Sequence, residues 1–276
     1  MGYALRRQFL DCMHALRAMA ANQISQTPVS IMHARFVKVG HFLFSFRDYM
    51  FPAVFLALAA TTKPALPFGS ERLDEWLDGL GIFIACLGQG FRALAIGWVH
   101  NIRRGGREKQ IAADTLIRTG FFAHSRNPLY CGNLLIVCGL VLIANSYWWY
   151  VLALPALIAV YWLIVLAEED FLIRKFGQDY EDYRRAVNRF VPRLLGLRRS
   201  LASVSFDWKR VVSKETQVLC SWGSLTLCLL IWERWAQFGY AARQAETQRL
   251  FLLLGLLSIL YGVVLWLKKS GKLSSS

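Results

Sequence analysis

TGFFAHSRNPLYCG, residues 119–132, leads into an apolar run at 133–146, and a second run at 147–167 ends in EEDFLIRKFGQDYEDYRRAVNRFVP, residues 168–192. Only Asn145-Ser146 and the aromatic cluster Tyr147-Trp148-Trp149-Tyr150 separate the two runs. Two helices joined so tightly run antiparallel. The hairpin therefore returns the chain to the membrane face it left. Arg126, Asn127, Pro128 and Tyr130 at its entrance are expected beside Glu168 and Glu169 at its exit. An arginine, a tyrosine, a proline-opened helix start and two carboxylates at one membrane surface have the makings of a site.

Working outward, the composition supports the membrane reading. The 276 residues are 55% hydrophobic, and several windows approach the ~20 apolar residues that cross a hydrocarbon core. The expected fold is all-α: a polytopic transmembrane bundle of six spans, at 46–62, 78–99, 131–146, 147–167, 218–232 and 250–267, with interfacial helices on the cytoplasmic side. Most of the 32 Lys and Arg fall in the N-terminal arm, in 100–126, in 168–217 and in the tail after 267; only five lie in the alternate loops. That alternation follows the positive-inside rule with both termini and the site cytoplasmic. The net charge of +14 then faces anionic headgroups rather than nucleic acid, for which no reading module is visible. None of the six cysteines forms a CxxC, and four of them lie in apolar runs, so neither disulfides nor a metal centre is expected. The first 45 residues lack the clean apolar stretch of a secretory signal.

Along the chain, Leu5, Phe9, Met13, Leu16 and Ala20 recur at helical spacing among arginines, which predicts an amphipathic helix lying on the membrane over 1–22. Pro28 is expected to break the chain after it, and Pro52 to interrupt the first span. Gly88-Gln89-Gly90-Phe91-Arg92-Ala93 matches a dinucleotide fingerprint formally, but no strand precedes it; the glycines suit close helix packing instead. Arg92 lies within snorkelling reach of the cytoplasmic end of its span. Gly105-Gly106 makes a flexible turn in a basic connector. After the hairpin, Leu172, Phe176, Tyr180, Tyr183, Val187 and Phe190 share one helical face, which predicts a helix packed on the membrane surface and ending at Pro192. Residues 196–217 read as a basic linker. Spans five and six carry no recognisable chemistry.

Arg-x-Pro-x-Tyr-x-Gly (Arg126, Pro128, Tyr130, Gly132), a helical hairpin, Glu168-Glu169 and then Phe176-Gly177-x-x-Tyr180-x-x-Tyr183 resemble the isoprenylcysteine carboxyl methyltransferase and phospholipid methyltransferase group. The resemblance covers roughly 80–195. It implies an integral membrane enzyme using S-adenosyl-L-methionine, and the chain is expected to divide into an interfacial arm at 1–45, a methyltransferase core at 46–195 and, outside the resemblance, a basic linker plus two-span extension at 196–276. The implied cofactor-binding residues are Gly120, Phe122, Arg126, Asn127, Pro128, Tyr130, Gly132, Glu168 and Glu169, and the implied catalytic residues are Arg126, Glu168 and Arg92. No metal is implied.

Methyl transfer from a sulfonium is an in-line displacement in which the protein aligns the partners and excludes water. Carboxylates accept from ribose hydroxyls and an ammonium, an arginine and freed amides meet a carboxylate, and an aromatic face takes adenine. Two departures from the family pattern matter. Asn127 replaces the usual His and cannot titrate, and Phe121-Phe122 replace Pro-Tyr. The acceptor is expected to be a lipid or lipid-tailed molecule. A prenylcysteine carboxylate paired with Arg126 or Arg92 comes first, and a phospholipid amine or a small thiol are the alternatives. Sterol-reductase-like chemistry with NADPH, or a scaffold without catalysis, are more distant rivals. His124 is not needed as a base for a carboxylate acceptor.

Overall fold

The apolar runs become helices that extend beyond their apolar centres. The computed structural model describes residues 28–99, 111, 113–202, 205–239 and 243–271. The surface helix expected at 1–22 and the turn at Gly105-Gly106 lie outside them. Eight α-helices and no strand occur among the described residues. They are α1 (Pro28–Thr61), α2 (Glu71–Gly97), α3 (Pro128–Ala144), α4 (Leu154–Phe176), α5 (Gln178–Ala186), α6 (Leu197–Ala202), α7 (Trp208–Phe238) and α8 (Gln244–Lys269). Four segments are long and apolar enough to cross a membrane: Met32–Thr61, Glu71–Gly97, Trp149–Phe176 and Gln244–Lys269. The protein is a multi-pass membrane protein. The other two expected spans fall in α3, apolar but only 17 residues long, and in α7, whose 31 residues include buried Glu215 and Glu233.

Local chemistry fixes the helix ends. Ser70 caps α2, its hydroxyl accepting from the Leu73 amide at 3.3 Å, and Glu71 and Asp74 complement the dipole in the first turn. The helix thus begins well before the apolar run expected from 78. Asn145 closes α3 in the left-handed conformation (φ 37°, ψ 51°), a role that Asn tolerates better than branched residues. A π-helical turn over Trp149–Ala153 then feeds α4.

Four expectations need correction. Pro28 starts α1 rather than breaking the chain, as suits a residue with no amide to satisfy at a helix start. Helix α1 also runs unbroken through Pro52, since α4 packs along it and holds the turn that has lost a hydrogen bond. The helix expected to run from the hairpin to Pro192 instead breaks at Gly177 (φ 54°, ψ −126°) and stops at Ala186. The expected linker 196–217 is largely helical: Asp207 caps α7, accepting from the Arg210 amide at 2.9 Å.

Packing centres on α2 against α3. A Cβ on Gly81 would lie 2.6 Å from the Gly139 carbonyl oxygen, and one on Gly88 2.5 Å from that of Gly132. Gly90, the other glycine of the rejected fingerprint, faces open space. Helix α1 lies on α4, where Phe51 stacks on Tyr161 with centroids 4.9 Å apart. Helix α7 packs on both α2 and α3, and α8 packs on α7. At the α2–α7 junction the Phe206 ring covers Gly97, and the Asp207 amide donates to the Gly97 carbonyl at 2.9 Å. At the other end of the bundle Asn145 donates to Asp74 at 2.6 Å and to the Ala65 carbonyl at 2.8 Å.

Candidate functional site

The break at Gly177 lets the chain after α5 fold back over the start of α3. The amides of Arg126 and Asn127 donate to the carbonyls of Asn188 and Arg189 at 2.9 and 3.2 Å, and the Arg193 amide donates to the His124 carbonyl at 3.0 Å. Ser125 and Cys131 both donate to the Phe190 carbonyl at 2.9 Å. The amides of Tyr130 and Cys131 are taken by the Asn127 carbonyl. The amides expected to be free around Pro128 are thus engaged at all four of these positions, and the side chains carry the chemistry.

Glu169 is the hub. Although it is only 3% exposed, its carboxylate meets two guanidinium groups. Oε1 lies 3.3 Å from Arg126 Nη1 and accepts from Asn127 Nδ2 at 3.2 Å; Oε2 accepts from Arg189 Nη2 at 2.7 Å and Nε at 3.1 Å. Two cations on one anion leave the cluster one positive charge in excess. Arg126 Nε and Nη1 are buried and make no hydrogen bond among the described residues. Such donors cost free energy unless something accepts from them. Tyr180 of α5 is a hydrogen-bond partner of Arg126, and burial first, then the Glu169 charge, pushes its pKa up. Burial likewise raises the pKa of Tyr183, whose hydroxyl donates to the Phe122 carbonyl at 2.7 Å. Both stay neutral at physiological pH, Tyr180 accepting from Arg126 and Tyr183 donating to Phe122.

Glu168, one residue earlier, points elsewhere. It accepts from the Tyr130 hydroxyl at 2.7 Å, which ties the entrance of the hairpin to its exit. Among the described residues no cation lies within ion-pairing distance of it; Arg47 of α1 acts on it from further away. The Tyr130 ring stands edge-on to Tyr161 at 5.9 Å.

Arg92 belongs to a third cluster. Its Nε and Nη2 donate to the two oxygens of Glu215, each at 2.8 Å, and Nη1 donates to Asn133 at 2.7 Å. Glu215 also accepts from Gln89 at 2.9 Å, and Gln89 in turn accepts from the Trp222 indole at 2.8 Å. Gly132 makes room for this arginine, since a Cβ there would fall 2.5 Å from Arg92 Cγ.

The hairpin therefore brings Arg126, Asn127 and Glu169 together, and Tyr130 and Glu168 beside them. Gly120 (φ 61°) backs onto the Trp98 carbonyl, and Phe122 is half-buried next to Phe121, which is fully buried edge-on to Phe91. Pro128 is buried at the start of α3. His124 donates from Nδ1 to the Arg193 carbonyl and meets the Ser200 hydroxyl through Nε2 at 2.9 Å, lining a cleft of about 410 Å³ with Asn188, Leu195 and Ser200. No group of three or more His, Cys, Asp or Glu able to hold a metal occurs among the described residues.

Arg189 and Glu215 escaped the sequence reading. Arg189 looks like any basic residue of a surface helix. Glu215 had one signal, being the only acid between Asp207 and Glu233 in a lysine- and arginine-rich helix start.

Residues 80–179 match the model of the phospholipid methyltransferase family. The matched segment contains Arg92, Arg126, Asn127, Tyr130, Glu168 and Glu169, while Arg189 and Glu215 lie beyond it. Comparison with curated proteins and with solved structures gives no match.

Proposed function

We propose, from the phospholipid methyltransferase domain that this chain carries over residues 80–179, that the protein methylates a lipid-tailed acceptor at the cytoplasmic interface with S-adenosyl-L-methionine as methyl donor. One observation carries the reading: the matched segment is the same segment whose hairpin pairs Arg126 with Glu169 at 3.3 Å and Tyr130 with Glu168 at 2.7 Å. The cofactor supplies a methyl group activated on a sulfonium sulfur. The side chains fit it. Arg126, with two buried donor nitrogens lacking a hydrogen bond, suits its carboxylate, and the half-buried Phe122 ring suits an adenine face. Glu169, Asn127 and Arg189 hold the Arg126 guanidinium in place.

The acceptor follows from which charges are spare. A carboxylate acceptor needs a guanidinium of its own, yet on this reading Arg126 is taken by the donor's carboxylate, and both nitrogens of the Arg92 fork are on Glu215. Of the two carboxylates at the hairpin exit, Glu168 is the one without a close cation among the described residues, and a lipid ammonium supplies one. With Oε1 accepting from Tyr130, Glu168 Oε2 holds the proton that the amine must lose before attack. The amine lipid is accordingly placed ahead of the prenylcysteine carboxylate, the family's other acceptor class and the one the sequence favoured.

S-adenosyl-L-methionine, or its demethylated product, is expected to raise the melting temperature of the detergent-purified protein, and NADPH is not. Tyr130→Phe and Glu168→Ala should each weaken donor binding or turnover by about 1.5–3 kcal/mol, the range for a hydrogen bond to a charged group. Radiolabelled donor supplied with phosphatidylethanolamine, a prenylcysteine and a short thiol in parallel identifies the acceptor. Label only on the prenylcysteine, as base-labile ester, would put the carboxylate back ahead of the amine; thermal stabilisation by NADPH alone would discard methyl transfer.

Six crossings with both termini cytoplasmic put 113–127 and 188–202 on the cytoplasmic face and the loop around Phe68 on the other. Single cysteines at 114, 200 and 68 should label accordingly in sealed vesicles. Positions 114 and 200 labelling from opposite sides would dismantle the topology.

A further inference from the structure

Arg92 is the arginine that a carboxylate acceptor approaching from the bilayer would first be expected to use. It acts electrostatically on the Tyr161 hydroxyl, and the Tyr161 ring lies 5.9 Å from that of Tyr130, the donor to Glu168. Its guanidinium is nevertheless fully engaged on the edge that recognises carboxylates. Nε and Nη2 form the planar fork that takes two carboxylate oxygens at once, and both teeth of the fork are on Glu215 at 2.8 Å. Nη1 is on Asn133. Arg92 and Glu215 are 9% and 3% exposed, so water does not screen the pair.

Glu215 itself is held from behind, by Gln89, which is fixed by the Trp222 indole on the same helix as Glu215. The start of α7 is fastened to the end of α2 by the Asp207 amide and the Phe206 ring. A rigid backbone thus presents one carboxylate to one guanidinium in the geometry an incoming carboxylate would need. None of α7 belongs to the matched domain.

We propose that Glu215, contributed by α7, is a specificity-determining residue that masks Arg92 and so closes this side of the site to carboxylate-headed acceptors. This rests on the reading of the protein as an enzyme for lipid-tailed acceptors. It adds that the C-terminal helices, beyond holding the bundle together, set which head group is admitted. An incoming carboxylate gains nothing at Arg92 unless it displaces Glu215, which would then lie buried beside it with no cation of its own. A neutral or cationic head meets no such competition.

The test measures binding without any methyl donor, so it does not depend on turnover. The probes are an N-acetylated prenylcysteine with a free carboxylate and its methyl ester, titrated by thermophoresis against the full chain in detergent. The readout is the ratio of the two affinities, which a merely structural loss would leave unchanged because it weakens both. Glu215→Gln exposes the fork and should move the ratio about tenfold towards the carboxylate, as one charge-assisted bidentate contact does. The double variant Arg92→Gln/Glu215→Gln, which buries no unpaired charge, should keep the parent's ratio within about twofold, because the parent's arginine is already masked. An unchanged ratio in Glu215→Gln would overturn the proposal. So would a double variant that loses carboxylate preference relative to the parent, since Arg92 would then be available in the parent; this arm decides the matter alone if the single variant does not fold. A parent that methylates no lipid acceptor sinks the functional reading instead, and the two failures are told apart by which assay gives them.

Discussion

Glu169→Ala should remove donor binding altogether and destabilise the protein by about 3–5 kcal/mol, the cost of breaking a buried ion pair from one side. The size comes from what is left behind. Arg126 and Arg189 would face each other across the vacated carboxylate, and Asn127 would lose its acceptor at 3.2 Å. Arg126 already has two buried nitrogens without a hydrogen bond, and its other partner, the uncharged Tyr180 hydroxyl, cannot replace the lost carboxylate. Glu169→Gln separates the two effects. It keeps the shape and one acceptor oxygen but removes the charge that balances two cations, so it should melt above the alanine variant and still fail to bind S-adenosyl-L-methionine. Thermal unfolding and equilibrium binding of the purified protein read both quantities. Retention of parental binding by the alanine variant would remove Glu169 from the site.

A comparable loss of stability is expected from a change with no charge in it. Gly139 faces α2 so closely that a Cβ on it would collide with the Gly81 carbonyl and lie 2.9 Å from the Ala85 amide nitrogen. These are backbone atoms of a helix that cannot rotate away. Gly139→Val should cost about 3 kcal/mol or more, the upper end of overpacking, and push α2 off α3. That displacement would carry Arg92 away from Asn133 as well. Gly255→Val on α8 is the control: nothing lies within 4 Å of a Cβ there, so stability should stay within about 0.5 kcal/mol. Both are measured by unfolding in mixed micelles. A Gly139→Val protein as stable as its parent would mean that the two helices do not touch at these glycines.

Local sequence was enough for the hairpin and for the meeting of its two ends. Two apolar runs joined by Asn145-Ser146 and an aromatic cluster leave little choice but an antiparallel pair. Tyr130 and Glu168 accordingly meet at 2.7 Å, and Arg126 and Glu169 at 3.3 Å. The family pattern was legible for the same reason, being written in residues at fixed offsets around that hairpin. Helix ends were less legible. They depend on caps such as Ser70 and on the left-handed Gly177, whose effects compete with an apolar periodicity that runs straight through them.

Which charge pairs with which was settled by the tertiary structure. Nothing near Arg92 in sequence points to Glu215, which lies 123 residues away, and nothing near Glu169 distinguishes Arg189 from the other basic residues of its segment. In a water-exposed protein such choices would matter little, because exposed ion pairs contribute little. Between helices buried from water they matter a great deal: an arginine whose bidentate edge is taken inside the protein, as that of Arg92 is by Glu215, is no longer available to a ligand. The sequence by itself determined that a membrane hairpin gathers arginines and carboxylates at one surface. The packing of α7 on α2, and of the 188–193 segment on the start of α3, decided which of those charges are already paired and which remain for a ligand.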